Sequence, residues 1–91
     1  MPTGKPEPYF LYILHSESAD RYYVGISSDP ERRLYFHNSV EKGFTSRYRP
    51  WSKVFVKEYP SKADAQMAES TVKSWKSRKM IERLIAGKLS I

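Results

Sequence analysis

Two basic side chains lie four residues apart in the segment DPERRLYFHN, and both could contact a phosphate group. The segment predicts a helix, so Arg33 and His37 share one helix face. Each side chain can contact a phosphate oxygen, and the guanidinium can do so through a planar fork. The alternative is an ordinary solvated arginine beside an incidental histidine, since such pairs are common on helix surfaces.

Two tyrosines lie on neighbouring predicted strands and offer a pair of hydroxyl groups. Tyr12 belongs to the first apolar run and Tyr23 to the second. Pairing of these strands could bring both hydroxyls to one end of a sheet, and alternation places Tyr23 and Gly25 on the same face. A glycine inside a strand often marks a bulge or the close approach of another group. The alternative for the tyrosines is aromatic core packing.

One carboxylate, that of Glu69, lies at the border of the buried stripe of a long predicted helix. The apolar residues of that stripe are Ala65, Ala68, Val72 and Trp75. A carboxylate in this position could hold a hard divalent cation. Lys73 follows one turn later, so a helix ion pair between Glu69 and Lys73 is the alternative.

The elements that position these residues follow from hydrophobic periodicity and from cap and turn residues. Strands are predicted at 9–15, 21–27 and 53–59, a loop at 41–51, and helices at 30–39, from a Ser61 cap onward, and at 77–86. Ser28 or Asp29 is the predicted cap of the first helix. The order β-β-α-β-α-α predicts an α+β fold with a three-stranded, mostly antiparallel sheet flanked by helices in two or three layers. The first strand should be covered on both faces, and the less apolar third strand should lie nearer an edge.

The composition is that of one small globular domain. The chain has 91 residues, of which 40% are hydrophobic and 29% are charged. Residues 1–8 hold three prolines and are predicted to form a flexible lead-in rather than a signal peptide, with the domain at 9–87. The absence of cysteine excludes a disulfide scaffold and a thiolate metal site, and we expect a cytoplasmic location. No apolar run approaches the roughly 20 residues of a membrane span.

The charge of the chain points to a polyanionic partner. The formal net charge is +6 and the sequence pI is about 9.7. An excess of cations attracts nucleic acid over distance and speeds the encounter. One alternative is a basic surface that serves only solubility, and another is a protein-interaction domain that meets an acidic partner.

Together these residues form a pattern that resembles the GIY-YIG nuclease superfamily. The tripeptides Leu11-Tyr12-Ile13 and Tyr23-Val24-Gly25 stand at its two tyrosine motifs, about ten residues apart on a hairpin. Arg33 follows the glycine by eight residues, His37 lies four residues later, and Glu69 lies on a later helix, as in the family. The resemblance covers about residues 9–85 and looks closest to small stand-alone bacterial members of the UPF0213 type. Residues 44–51 also look like the Thr-x-x-x-x-Pro-Trp stretch of structure-specific members.

The resemblance implies metal-assisted hydrolysis of phosphodiester bonds, with a role in DNA repair or recombination. A single Mg²⁺ or Mn²⁺ on Glu69 is expected to polarise the scissile phosphate, and Arg33 to stabilise charge on the phosphoryl oxygens. Tyr12 or Tyr23 is expected to orient or deprotonate the attacking water, with help from the metal, Arg33 or His37, because a free phenol titrates near pH 10. A single carboxylate supplies few of the ligands that a divalent cation requires. The cation is therefore expected to bind weakly until the substrate adds its phosphate oxygens.

The expected partner is nucleic acid, DNA in particular, and a protein partner or a homodimer is expected to add specificity. The residues expected to contact nucleic acid are Gly25, Thr45, Arg47, Arg49, Lys73, Lys76 and Arg78. Tyr48 and Trp51 could stack on bases, although the size of an indole favours core packing for Trp51.

The sequence also departs from the family pattern at several positions. Leu11 and Ile13 flank the first motif tyrosine where other residues are expected, and Ile26 stands where the family has a lysine or a similar residue. Many members carry an asparagine after the glutamate, and here no asparagine follows Asn38. The missing asparagine favours the alternative of a catalytically weak or inactive nucleic-acid-binding module of the same fold.

Overall fold

The computed structural model describes residues 7–40 and 42–91. The chain forms β1 (Tyr9–Ser16), β2 (Arg21–Ser27), α1 (Pro30–Ser39), a short 3₁₀ helix (Phe44–Tyr48), β3 (Trp51–Tyr59), α2 (Lys62–Ser74) and α3 (Arg78–Ile85). The predicted order β-β-α-β-α-α is therefore confirmed. The predicted lead-in at 1–8 lies outside the described residues except for Glu7 and Pro8, which are exposed.

β1 is the central strand of an antiparallel sheet with the order β2-β1-β3. Its residues Leu11, Tyr12, Ile13 and Leu14 are all buried, at 1% exposure or less. The prediction that this apolar run is covered on both faces is confirmed. β3 lies at one edge of the sheet, as predicted, and β2 forms the other edge.

Alternation along β1 sends successive side chains into two separate cores. The core beneath α2 and α3 consists of Leu11, Ile13, Val24, Val72 and Leu84. The core on the other face, beneath α1 and the 3₁₀ helix, consists of Tyr12, Leu14 and Trp51, with Tyr23, Leu34 and Tyr48 packed against it. The domain therefore has three layers, and we name its two faces the α1 face and the α2–α3 face.

The first two helices begin at the capping residues that the sequence indicated. Asp29 accepts a hydrogen bond from the backbone N–H of Arg32 at 3.1 Å. Ser61 accepts from the backbone N–H of Asp64 at 3.2 Å and donates to the Asp64 carboxylate at 3.0 Å. These bonds satisfy N–H groups that have no partner within the first turn of a helix.

The predicted loop at 41–51 is more regular than expected. It contains the 3₁₀ helix, and β3 begins at Trp51 rather than at Lys53. The strand is longer because the Trp51 backbone N–H donates to Asn38 Oδ1 at 2.7 Å, and Asn38 Nδ2 donates to the Trp51 carbonyl at 3.1 Å. This long-range pair ties the start of β3 to α1. In the described part of the chain, no helix has the length and apolar character that crossing a membrane requires.

Candidate active site

The central contact of the α1 face joins Tyr12 on β1 to Gly25 on β2. The two residues are direct partners in the strand register. A Cβ atom placed on Gly25 would lie 2.6 Å from the Tyr12 hydroxyl oxygen and 2.8 Å from its Cζ atom, which close packing does not allow. Gly25 therefore marks the close approach of another group, as its position within a strand suggested. The group that approaches is the Tyr12 ring. The expected nucleic-acid contact of Gly25 does not fit, because the residue is buried.

Tyr23 lies beside Tyr12 on the same face of the sheet. It pairs with Leu14, so the two tyrosines are diagonal neighbours, and their ring centroids lie 6.2 Å apart. Tyr23 is partly exposed, whereas Tyr12 is 1% exposed. The structure thus brings the two phenols together, and of this pair only Tyr23 is open to solvent.

His37 projects from α1 towards both tyrosines and is 1% exposed. Its Nε2 atom lies 3.2 Å from the Tyr12 hydroxyl, and its ring meets the Tyr23 ring edge-on with centroids 4.6 Å apart. The other ring nitrogen, Nδ1, lies 3.0 Å from Thr45 Oγ1. Direct contact between His37 and a phosphate, which its helix face suggested, does not fit this position because protein groups surround both nitrogens.

Thr45 is also internal, at 3% exposure. Its hydroxyl faces His37, and its carbonyl oxygen accepts a hydrogen bond from Trp51 Nε1 at 2.7 Å. The expected contact of Thr45 with nucleic acid does not fit this buried position. Trp51 is 3% exposed, so it packs in the core and its ring is not available for stacking on a base.

Arg33 lies near the Tyr12 hydroxyl and influences its ionisation. Burial raises the pKa of Tyr12 above its ordinary value of 10.0, and a hydrogen bond from Arg33 opposes this rise because it favours the phenolate. The charges of Tyr23 and Glu69 add to the rise in the pKa. Tyr12 is consequently neutral at pH 7. The Arg33 guanidinium also lies 4.7 Å from the centroid of the Phe36 ring, which steadies it on α1.

Glu69 lies on α2, which packs on the opposite face of the sheet from α1. Its negative charge contributes to the raised pKa of Tyr12, which places the carboxylate within electrostatic range of the phenol. The side chain is 24% exposed, and one carboxylate oxygen lies 3.0 Å from Lys73 Nζ. The helix ion pair that the sequence offered as the alternative for Glu69 is therefore present.

The donor chemistry at Glu69 fits a hard cation held by one carboxylate. Within residues 7–40 and 42–91, no group of three or more histidine, cysteine, aspartate or glutamate side chains converges to hold a metal ion. Mg²⁺ commonly binds one or two carboxylates, keeps several waters and uses substrate phosphates as further ligands. A partly exposed Glu69 suits that mode of binding, which needs no protein cage.

The basic residues of the 3₁₀ segment have different surroundings. Arg49 Nε donates to the carbonyl oxygen of His37 at 2.8 Å, so this guanidinium holds the last turn of α1. Arg47 is exposed at the end of the 3₁₀ helix. Of these two expected nucleic-acid contacts, Arg47 has the side chain that faces solvent.

The basic residues after Glu69 also differ from one another. Arg78 donates to the Asp20 carbonyl at 2.7 Å and to its carboxylate at 2.6 Å, and its Nε donates to Glu82 at 3.1 Å. Lys73 is paired with Glu69, and Lys76 is exposed. Arg78 therefore ties α3 to the β1–β2 turn. Because its guanidinium is engaged in these bonds, Arg78 is less available to contact nucleic acid than the sequence suggested.

Two features of the site were missed by sequence reasoning. Asn38 fastens the start of β3, and Thr45 fastens His37. An asparagine side chain in the last turn of a helix often forms hydrogen bonds with backbone groups, and the position of Asn38 indicated such a role. It does not identify the partner, because Trp51 is brought there by the tertiary fold.

The fold and this arrangement of phenols, guanidinium, imidazole and carboxylate define a nuclease-type catalytic domain. The family model of the GIY-YIG catalytic domain matches residues 8–82, and the chain belongs to this GIY-YIG family. Among solved structures, the chain resembles the solution NMR structure of the UPF0213 protein BH0048 from Bacillus halodurans. The two share 32% sequence identity with a TM-score of 0.58 over 89% of this chain and 85% of that chain.

Curated relatives carry the name structure-specific endonuclease subunit SLX1. The protein from Phaeosphaeria nodorum is 37% identical over 70 residues, which is 70% of this chain and 19% of that protein. The protein from Meyerozyma guilliermondii is 40% identical over 72 residues, which is 70% of this chain and 24% of that protein. The homolog from Giardia intestinalis is 40% identical over 68 residues, with 70% and 19% covered. The chain thus spans about a fifth to a quarter of these relatives.

Proposed function

We propose that this chain is a divalent-metal-dependent endonuclease that hydrolyses phosphodiester bonds in DNA. The observation that carries the proposal is the arrangement of Tyr23 and Arg33 around the buried pair of Tyr12 and His37, with the Glu69 carboxylate within electrostatic range of Tyr12. Family membership supports a nuclease, and similarity to the structure-specific endonuclease subunits SLX1 supports an endonuclease. The net charge of +6 supports a polyanionic substrate.

Exposure divides the site into residues that can meet a substrate and residues that lie beneath them. Tyr23, Arg33 and Glu69 are partly exposed. The buried residues, none more than 3% exposed, are Tyr12, His37 and Thr45. We assign substrate contact to the first group and positioning to the second, because a buried side chain cannot reach a phosphate without rearrangement.

The three accessible side chains have complementary roles in phosphodiester hydrolysis. The Arg33 guanidinium contacts the non-bridging phosphoryl oxygens and stabilises the charge that builds on them. The Tyr23 hydroxyl orients the attacking water. Glu69 holds Mg²⁺ or Mn²⁺, which when bound supplies Lewis-acid polarisation of the phosphate.

Beneath Arg33 the buried side chains form a short chain of hydrogen bonds, which joins Tyr12 to His37 and His37 to Thr45. In one polarity the Tyr12 hydroxyl donates to His37 Nε2, which lies 3.2 Å away. In this polarity a neutral His37 carries its proton on Nδ1 and donates to Thr45 Oγ1. These hydrogen bonds steady the Tyr12 ring beneath Arg33 without adding a buried charge.

The partners of the chain follow from the same proposal. Arg47, exposed beside the site, contacts the DNA backbone, whereas Arg49 supports α1 from within. The word subunit in the names of the SLX1 relatives supports a protein partner for specificity. A role in DNA repair or recombination and a cytoplasmic location complete the proposal.

One observation favours a second function, that of a nucleic-acid-binding module without turnover. The single carboxylate at the site is paired with Lys73, so an ammonium group already neutralises the charge that a metal ion requires. In this alternative the basic surface and the fold are kept, and hydrolysis is absent.

Cleavage assays separate these functions. The protein is incubated with duplex, flap and branched DNA, with and without Mg²⁺ or Mn²⁺, as wild type and as Tyr23→Phe, Arg33→Ala and Glu69→Gln. We expect metal-dependent cleavage by the wild type and a loss of about 10²–10³-fold in the Arg33→Ala variant, as for other removed charge-stabilising donors. Glu58→Gln, which removes an exposed carboxylate on β3, is the matched control for Glu69→Gln. Binding without cleavage by the wild type would establish the second function, and unchanged metal-dependent cleavage by Glu69→Gln would overturn the role of Glu69.

A further inference from the structure

Arg21 is an exposed arginine on the α1 face that sequence reasoning did not single out. It begins β2, and alternation along that strand places it on the same face as Tyr23 and Gly25. Its guanidinium lies 4.7 Å from the centroid of the Tyr48 ring. Tyr48 packs against the core of the α1 face, so this cation–π contact holds the guanidinium on that face.

The positive charge of Arg21 is not used in an ion pair within residues 7–40 and 42–91. The carboxylate next to it along the chain, that of Asp20, is instead bound to His15 at 2.8 Å and to Arg78 at 2.6 Å. The contact with Tyr48 leaves the guanidinium N–H groups available to an anion, and a guanidinium binds phosphate through a planar pair of such donors. Arg21 therefore offers an uncompensated charge and a suitable set of donors.

Arg21, Tyr23 and Arg33 follow one another along the α1 face. The Tyr12 hydroxyl lies over Gly25, 2.6 Å from the place of a Cβ atom, and Arg33 lies near that hydroxyl. On the same face, Tyr23 lies two residues from Gly25 along β2, and Arg21 lies two residues beyond Tyr23. Each of these steps is about 7 Å along a strand. In this order the partly exposed phenol comes between the two arginines.

We propose that Arg21 binds a backbone phosphate of the cleaved DNA strand, about two nucleotides from the scissile phosphate. The inference rests on the proposed function, which puts the scissile phosphate at Tyr23 and Arg33. Each strand of a duplex carries one phosphate per about 3.4 Å of the helix axis, so a step of about 7 Å spans two nucleotides. Arg33 and Arg21 then hold the strand on both sides of Tyr23, which sets the direction of the substrate across the α1 face.

The first test measures DNA binding without added metal, so it does not depend on cleavage. Arg21→Gln removes the charge at an exposed position of an edge strand. Arg21→Lys keeps the charge and removes the planar fork. The matched control is Arg83→Gln, which removes an exposed arginine from α3 on the other side of the sheet. The affinity of each variant for a short duplex is measured over a range of salt concentrations.

We expect Arg21→Gln to weaken binding about tenfold at low salt, the scale of a lost hydrogen bond to a charged group. The slope of log K against log salt should become shallower by about 0.9, the value for one phosphate contact with duplex DNA. Arg21→Lys should keep the wild-type slope, because lysine also binds phosphate as a point charge. Equal slopes for Arg21→Gln and Arg83→Gln would overturn the proposal.

The second test locates the contact relative to the cleaved bond. Single phosphates of the cleaved strand are replaced in turn by neutral methylphosphonates, and cleavage by the wild type and by Arg21→Gln is compared. We expect the wild type to lose rate when the phosphate about two nucleotides from the cut is replaced. Arg21→Gln should lose nothing further there, because its contact is already absent.

The two tests separate the failure of this inference from that of the proposed function. A wild type that cleaves, with the same pattern of methylphosphonate effects in Arg21→Gln, would overturn the role of Arg21 alone. A wild type that shows the expected difference in salt slope but cleaves no DNA would overturn the proposed function and leave the phosphate contact of Arg21 in place.

Discussion

The hydroxyl of Tyr12 lies 3.2 Å from Nε2 of His37, although 25 residues separate them along the chain. This contact joins the central strand to α1, and it continues through Nδ1 of His37 to Thr45 at 3.0 Å. Arg33, one turn before His37, acts on the same phenol. The contact therefore couples the packing of the α1 face to the orientation of the guanidinium that we assign to phosphate binding.

Substitution of Gly25 by alanine should damage both stability and the site. The new Cβ atom would lie 2.6 Å from the Tyr12 hydroxyl oxygen, so the Tyr12 ring must leave its present position. We expect a loss of roughly 1–3 kcal/mol in the free energy of unfolding, measured by urea denaturation, which is the range for overpacked sites. Removal of the nearest atom in a Gly25→Ala/Tyr12→Phe double variant should make the two effects less than additive. Strictly additive losses would contradict the proposed clash.

Substitution of Thr45 by valine, which has nearly the same shape, should disturb the tautomer of the His37 ring. The imidazole Nδ1 atom would lose its hydroxyl partner, and a buried polar atom without a partner costs about 1–3 kcal/mol. We expect ¹⁵N NMR of the wild type to show a single tautomer of the His37 ring, fixed by its partners Tyr12 and Thr45. The Thr45→Val variant should show a changed spectrum and Thr45→Ser should restore it. Identical His37 spectra in the valine and serine variants would rule out this hydrogen-bonded role of the Thr45 hydroxyl.

Metal binding should compete with the ion pair between Glu69 and Lys73. The ammonium lies 3.0 Å from the carboxylate, so a cation must displace it. Titration with Mn²⁺ should broaden NMR signals around residue 69, and Glu69→Gln should remove the effect. Lys73→Gln should strengthen binding about twofold, the scale set by an i,i+4 ion pair, and Lys62→Gln should leave it unchanged. Broadening that persists in Glu69→Gln would place the metal elsewhere.

Asp20 should make the stability of the domain depend on acid pH. Hydrogen bonds to His15 and then Arg78 lower the pKa of this carboxylate below its ordinary value of 3.8. A lowered pKa in the folded state stabilises the fold at pH values above 3.8, and this contribution disappears as the pH falls through the folded-state pKa. We expect Asp20→Asn to weaken the acid dependence of unfolding and Glu17→Gln, in the same turn, to preserve it. An NMR titration that places the Asp20 pKa at or above 3.8 would contradict this linkage.

Local patterns in the sequence predicted most of the fold. The apolar run of β1, the capping residues Asp29 and Ser61, and the helical stripe that contains Val72 depend on neighbours within a few residues, so they can be read from the chain itself. The spacing of the tyrosine motifs, Arg33, His37 and Glu69 likewise indicated the GIY-YIG family, which the family match at residues 8–82 confirms.

The burial of the candidate site residues and their partners depended on the tertiary structure. Spacing places Arg33 and His37 on one helix face, but the packing of α1 against β1 decides that His37 is buried and Arg33 is partly exposed. In the same way, the strand register sets Gly25 beneath the Tyr12 ring, and the 3₁₀ helix turns Thr45 inward to His37. The sequence by itself therefore determined which residues are present and which elements carry them. Only the tertiary structure decided which side chains meet, because those contacts join segments that are distant along the chain.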